Sequence, residues 1–306
     1  MASYYQKGFY ETNNFALLDL IIKPHYNVVN VGSNYGIFCC YSAIRASKGI
    51  TIGVEGNPYL FDQCIKSAFK NRLQGKIRLH QCFAGSKQDV IPICINSYFG
   101  NSAALNGKYK LPSTASEFMC TEESFGKYNL YKFEGAIYHT GKPKIYNVEV
   151  HPLDEIVQHN IKDHRVDLLI MDTDGSEYDV LEGAKKTILK NDRIIIMTEI
   201  GEGNDEKLVD FFRSNMSNHR LFVLDGNKRI KAKVLPRSWV NLLLSWLDRF
   251  RKRSKEIKEY KEILVENEKL IKCLITIFGA KEINSSKIQT FPKGTLLIVP
   301  KTPSNV

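Results

Sequence analysis

The sequence is poor in the features that would stitch a secreted domain together or carry it through a bilayer. Its seven cysteines, at 39, 40, 64, 82, 94, 120 and 273, form no Cys-x-x-Cys and no paired Cys/His spacing. That pattern excludes a disulfide framework and a structural zinc site, and the cysteines read as free thiols in a reducing compartment. No run of about eighteen uncharged apolar residues is present to span a bilayer. The opening Met-Ala-Ser-Tyr-Tyr-Gln-Lys lacks the basic start and apolar stretch of a signal peptide. No internal repeat or low-complexity tract marks a solenoid or a linker. A cytoplasmic protein with no metal site is expected.

What is present is an ordinary globular composition, 43% hydrophobic and 25% charged over 306 residues, enough for a substantial core. The net charge of +10 is concentrated. Residues 227–293 hold 17 Lys and Arg against 7 Asp and Glu, while the remainder is balanced at 26 of each sign. One appended segment is basic, and the main domain is not.

Along the chain, β-branched and apolar runs alternate with helical periodicity. Tyr26 to Val31 reads as a strand breaking into a Gly/Asn turn, and Ile37 to Ala46 as the helix that follows. Ile50 to Val54 is a second strand ending on Glu55; Asn57-Pro58 opens a helix through Leu60 to Phe69. Ile77 to Phe83 is a third strand, ending at Ala84-Gly85, and Val90 to Ile95 a further one. From Ser97 to Asn147 regularity dissolves into a stretch too long for a plain connection, read as a functional loop or small subdomain inserted as a lid or substrate-facing element. Val148 to Val150 and a helix at Leu153 to His159 restore the pattern. Val166 to Met171 is then an apolar strand delivering Asp172-Thr173-Asp174-Gly175, with a helix over Tyr178 to Leu189. Ile194 to Thr198 ends at Glu199, Leu208 to Phe212 lies in one more helix, and Leu221 to Leu224 with Thr295 to Val299 are the final strands. This alternation predicts an α/β fold with a mostly parallel sheet and helices on both faces. The expected domain plan is an N-terminal helical segment (1–25), a core (26–226 and 294–306) carrying the 97–147 insertion, and a basic amphipathic helical insertion (227–293).

The chemistry starts at the first turn. Gly32 and Gly36, with Ser33 between them, let the chain turn sharply, with helix-terminal N–H groups expected to face the crevice at the carboxyl end of the sheet. Glu55 follows about twenty residues on, where a carboxylate can accept ribose hydroxyls. A nicotinamide dinucleotide needs Gly-x-Gly-x-x-Gly, and here Asn34 and Ile37 occupy the other two glycine positions. A nucleotide cofactor without a pyrophosphate fits better. Asp172 ends a buried strand beside that crevice, and an acid there has little packing reason. Asp174 and Glu177 complete a cluster able to bind an amino group, deprotonate a hydroxyl or hold a cation, although Glu177 would also complement a helix N-terminus. Glu199 is a secondary candidate; His80 and His151 border strands and read as structural.

Four ordered blocks resemble the FkbM-type methyltransferases, a branch of the class I S-adenosylmethionine enzymes. Asn30-Val-Gly-Ser-Asn-Tyr-Gly-Ile-Phe38 is similar to the family's Asp-x-Gly-Ala-Asn-x-Gly-x-Phe, and Val54-Glu-Gly-Asn-Pro-Tyr-Leu-Phe61 to its Glu-Pro-Asn-Pro-x-x-Phe. Val150-His-Pro-Leu-Asp-Glu155 resembles its Thr-Leu-Asp-Asp element. Leu169 to Ala184, running Leu-Ile-Met-Asp-Thr-Asp-Gly-Ser-Glu-Tyr-Asp-Val-Leu-Glu-Gly-Ala, resembles its most specific block. The resemblance covers about residues 26 to 202. It implies a Rossmann-like, seven-stranded class I core whose last strand is antiparallel, S-adenosyl-L-methionine as cofactor, and methyl transfer to a hydroxyl of a sugar, glycolipid or secondary-metabolite acceptor. The implied cofactor contacts are Asn30, Gly32, Ser33, Asn34, Gly36, Glu55, Gly56, Asn57, Ala84 and Asp172. The implied catalytic acids are Asp172, Asp174 and Glu177; Asn101 and Ser102, in a Gly-Asn-Ser turn, read as a plain turn first and as acceptor-side contacts second. Asn30 stands where the family has aspartate, and Asp174 where it has glutamate.

In the basic insertion, Trp239 to Lys261 mixes aromatic and apolar residues with Lys and Arg at helical spacing. The default is a charged solvated face packed on the core; peripheral contact with an anionic membrane is the alternative. A second functional class is a catalytically weakened fold that uses these basic helices to hold a partner or nucleic acid.

Overall fold

The computed structural model describes residues 12–95, 102–104, 130–133, 136–139, 144–173, 175–200, 205–224, 280–283 and 294–300. Asp174, Asn101, most of the 97–147 insertion and the whole 239–261 stretch lie outside these residues, so the expectations placed there are not addressed. In chain order the elements are α1 (Thr12–Ile21), β1 (Val28–Val31), α2 (Ile37–Arg45), β2 (Thr51–Val54), α3 (Pro58–Lys70), β3 (Ile77–His80), β4 (Phe83–Gly85) and β5 (Asp89–Ile95). Then come β6 (Ser102–Ala104), β7 (Leu130–Phe133), β8 (Ala136–His139), β9 (Lys144–Pro152), α4 (Leu153–Asn160), β10 (Leu168–Met171), α5 (Glu177–Gly183) and α6 (Lys185–Lys190). The chain continues with β11 (Ile195–Ile200), α7 (Asp205–Asn215), β12 (His219–Leu224), β13 (Lys281–Ile283) and β14 (Gly294–Pro300).

The central sheet has the order β13-β12-β14-β11-β10-β1-β2-β3. Strands β3, β2, β1, β10 and β11 run parallel, and β14 enters antiparallel between β11 and β12. The runs Val-Val-Asn-Val and Leu-Leu-Ile-Met are buried at every position, as strands covered on both faces must be. Alternate side chains feed two cores. Val29, Val31, Ile52, Leu169, Met171 and Ile196 pack with α4, α5 and α7, through Val157, Leu181 and Phe212 among others. Val28, Leu168, Ile170 and Met197 pack with α1 and α2, where Phe15 stacks on Phe38 with ring centroids 4.9 Å apart.

Three expectations are corrected. The sheet has an eighth strand, because residues 281–283, inside the expected helical insertion, pair antiparallel with β12. The single third strand divides: β3 stays in the central sheet, whereas β4 joins a second sheet of order β4-β9-β5-β6. Strands β6, β7, β8 and the start of β9 lie within the 97–147 segment, and Ile91, Ile93, Val148 and Val150 form a small core of the second sheet. The helix expected over Tyr178 to Leu189 breaks at Ala184. Gly183 lies so close to β4 that a Cβ there would stand 1.9 Å from the Gly85 carbonyl oxygen. A fresh helix then starts under Asp154, whose carboxylate accepts the N–H groups of Lys186 (3.0 Å) and Thr187 (2.7 Å).

Among the described residues, no helix is long and apolar enough to cross a membrane. Cys39, Cys40, Cys64 and Cys82 are free and buried, as read from their spacing.

Candidate functional site

Parallel register builds the site. Val31 pairs with Val54 on one side and Met171 on the other, so the next residues, Gly32, Glu55 and Asp172, leave the carboxyl edge of three adjacent strands side by side. Glu199 lies one strand further along, one residue past the Thr198 that pairs with Met171.

The turn after β1 is closed on itself. The N–H groups of Gly32 and Ser33 both donate to the Val54 carbonyl at 3.0 Å, and that of Gly36 to the Ser33 carbonyl at 2.8 Å. The Asn34 N–H donates to Glu55 Oε2 at 2.7 Å. These four turn N–H groups are engaged within the turn and with the neighbouring strand. Gly32 and Gly36 hold φ of 74° and 77°, the left-handed region that favours glycine. A Cβ at Gly32 would stand 1.9 Å from the Asp172 carbonyl oxygen, so this turn and the β10–α5 loop are pressed together.

From the α3 side, Cys64 donates its thiol proton to the Asn34 carbonyl (2.7 Å) and Ser67 its hydroxyl to the Tyr35 carbonyl (2.9 Å). Sequence reasoning passed over both residues, since neither stands in a cofactor motif. Burial pushes the Cys64 thiol far above its ordinary value, so it is a protonated donor at neutral pH.

Glu55 is 7% exposed, and its two oxygens accept from Asn34 N–H and Asn57 N–H (2.9 Å). Asn57 is fully buried and caps α3, its Oδ1 accepting from Tyr59 and Leu60 N–H with Pro58 at the first helical position. Gly56 fits against the face of Phe83, which would lie 2.3 Å from an added Cβ. Ala84 is buried in β4, opposite His151.

Asn30 is 0% exposed, and neither its Oδ1 nor its Nδ2 has a partner; Asn34 Oδ1 is likewise buried and unpartnered. Ser33 donates its hydroxyl to the Asn30 carbonyl at 3.0 Å and is committed locally. Orphaned buried amides cost about 1–3 kcal/mol each, which a ligand bearing ammonium and carboxylate groups would offset.

Across the crevice, Asp172 is half-buried and donates its N–H to the Val31 carbonyl at 3.1 Å. Glu177 is 5% exposed, and its Oε1 accepts from Thr173 N–H (3.1 Å), Thr173 hydroxyl (2.9 Å) and Gly175 N–H (3.4 Å). Among the described residues no group of three His, Cys, Asp or Glu converges as metal ligands would. Of the remaining candidates, His151 pairs at the surface with Glu149 at 2.9 Å. His80 meets the Asn160 amide at 2.9 Å, and Ser102 lies in β6 of the second sheet.

A parallel sheet closed by one antiparallel strand between its last parallel neighbours, a glycine turn sealed against pyrophosphate and an acid ending the second strand define a class I, Rossmann-like methyltransferase. Residues 30–228 match the family described as Methyltransferase FkbM domain, and the chain belongs to that family. A search of the curated proteins finds no match. Among solved structures the chain is similar to an O-methyltransferase from Bacillus cereus in complex with SAH, at 10% identity, covering 70% of this chain and 75% of that one, with a TM-score of 0.40. It is also similar to a precorrin-6y C5,15-methyltransferase from Geobacter metallireducens GS-15, at 8% identity, covering 72% and 82%, TM-score 0.36. With identities and TM-scores this low, the assignment rests on the family match alone.

The cofactor is S-adenosylmethionine, and the residues present fit it. Glu55 would take the ribose hydroxyls, and the unpartnered Asn30 amide and Asn34 Oδ1 would meet the charged amino-acid end. The sealed turn has no use for phosphates it would not meet.

Proposed function

We propose that this methyltransferase acts on a hydroxyl oxygen of a sugar, glycolipid or secondary-metabolite acceptor, with Asp172 as the residue that orients that hydroxyl and accepts its proton. The observation that carries the reading is the placement of Asp172: a half-buried carboxylate brought by register to the strand end next to the Gly32 turn. S-adenosylmethionine supplies, when bound, a methyl group already activated on a sulfonium. The protein's share is then alignment and proton removal. Gly32 lets the Asp172 backbone approach the turn, Glu55 holds the ribose end, and the two buried asparagines fix the amino-acid end. The family resemblance supports oxygen as the acceptor atom.

The test is a turnover screen with S-adenosylmethionine against free sugars, glycolipids in vesicles and hydroxylated secondary metabolites, with Asp172→Asn alongside. Turnover on a hydroxyl acceptor that falls at least about a hundredfold in that variant supports the assignment, a loss typical of removing a general base. Unchanged turnover removes Asp172 from the chemistry. If calorimetry with S-adenosylhomocysteine shows no binding, the weakened, partner-holding reading takes its place.

A further inference from the structure

Glu177 carries the inference. It lies at the start of α5, where an acid serves the helix dipole whatever else it does. Its hydrogen bonds, however, run backwards into the acid loop. One oxygen, Oε1, takes three donors from Thr173 and Gly175. A carboxylate oxygen offers about two acceptor positions, so Oε1 is saturated and is no base for an acceptor hydroxyl. The loop it holds is short and pinned at its other end. Asp172 N–H is bonded to Val31, and the Asp172 carbonyl lies against Gly32. The direction in which Asp172 leaves β10 is thus set from two sides, by the β1 turn before it and by Glu177 after it.

We propose that Glu177 is a positioning residue: it holds the Thr173 and Gly175 amides and thereby sets where the Asp172 carboxylate stands. This rests on the reading of Asp172 given above. The inference differs from a proton-transfer role in one respect that can be measured. Positioning requires an acceptor at Oε1 but no charge, and glutamine provides that acceptor.

The test compares Glu177→Ala, Glu177→Gln and Thr173→Val with the unmodified chain. The readouts are amide hydrogen exchange at Thr173 and Gly175, and methyl transfer to the best acceptor from the sugar and glycolipid panel across pH. Thr173→Val removes one donor and keeps the volume, so it serves if the alanine variant fails to fold. In Glu177→Ala, exchange at both amides should rise at least about tenfold, since a hydrogen bond to a charged acceptor is worth that or more, and kcat should fall with it. Thr173→Val should move both in the same direction by less. Glu177→Gln should restore protection and bring kcat back to within about tenfold, with a pH profile of the same shape.

Two results overturn the proposal. One is exchange at Thr173 and Gly175 that does not change in Glu177→Ala. The other is a Glu177→Gln variant with native protection and no turnover, which would give the charge a direct part in the chemistry. Asp172→Asn, run in parallel, keeps the two ideas apart. Unchanged turnover there removes Asp172 from the chemistry, while exchange at Thr173 still decides whether Glu177 holds the loop.

Discussion

The two loops that meet at the carboxyl edge of the sheet satisfy their backbones in opposite ways. The 32–36 turn does so from within and from the next strand, through Val54, Glu55 and Ser33, while the Asn34 Oδ1 and, in β1, the whole Asn30 amide are buried without partners. After β10, the Thr173 and Gly175 N–H groups and the Thr173 hydroxyl instead donate to one side chain, Glu177. Where the backbone is self-sufficient, a ligand can be met by side chains. On the reading proposed above, the difference separates a holding side of the site, around Glu55, from an acting side, around Asp172.

The largest expected effect comes from breaking both loops at once. Gly32→Ala would put a Cβ 1.9 Å from the Asp172 carbonyl oxygen at a φ of 74°. Left-handed strain and overpacking together predict a loss of at least about 3 kcal/mol in chemical denaturation. A loss below about 1 kcal/mol would show that the loops can part freely, and the interlock would be withdrawn.

The next prediction separates the two sides. Glu55→Ala removes the acceptor of two backbone donors and the ribose carboxylate together, so the calorimetric Kd for S-adenosylhomocysteine should rise about a hundredfold. Asp172→Asn should leave that Kd within about threefold if Asp172 acts on the acceptor hydroxyl as proposed. Equal losses in the two variants would erase the distinction between holding and acting.

Much of this arrangement was legible in the sequence, and the reasons differ by element. The parallel strands of the core are continuous apolar runs, and a run such as Leu168–Met171 can be read without knowing its neighbours. Register then follows, and with it the meeting of Gly32, Glu55 and Asp172. Asn57-Pro58 signals its own helix start. What could not be read depends on distant partners. The second sheet requires β4 to pair with β9, whose residues lie far along the chain, and no local pattern at Phe83–Gly85 announces it. The break at Ala184 arises from Gly85 and Asp154, neither adjacent to it in sequence. The roles of Cys64 and Ser67 depend on carbonyls of another element, and carbonyls carry no residue signature.

A third prediction has opposite signs in two readouts. Asn30 lies among Val28, Leu168 and Ile170 on the α2 side of the sheet, with its amide unpartnered. Asn30→Leu should stabilise the ligand-free chain by about 1 kcal/mol, since it removes a buried unsatisfied amide. The same change should weaken S-adenosylhomocysteine about tenfold or more. A variant that is both less stable and unaltered in binding would mean that the amide is an ordinary part of the core.

The smallest expected effect is a pH dependence confined to the holding side. His80 ends β3, its carbonyl accepts the Glu55 N–H at 3.0 Å, and burial holds its imidazole below the usual histidine range. The folded state therefore binds the His80 proton less readily than the unfolded chain does. Its contribution is fully present above the unfolded value of about 6.5 and is lost as pH falls below that value towards the folded one. His80→Gln keeps an acceptor for Asn160 and removes the titration. The fall in unfolding free energy between about pH 7.5 and pH 5.5 should be smaller in His80→Gln than in the unmodified chain. Because His80 reaches Glu55 through the backbone, S-adenosylhomocysteine affinity should decline over the same interval while exchange at Thr173 and Gly175 stays level. If the acid loop loosens first on acidification, the holding side is not where the proton acts.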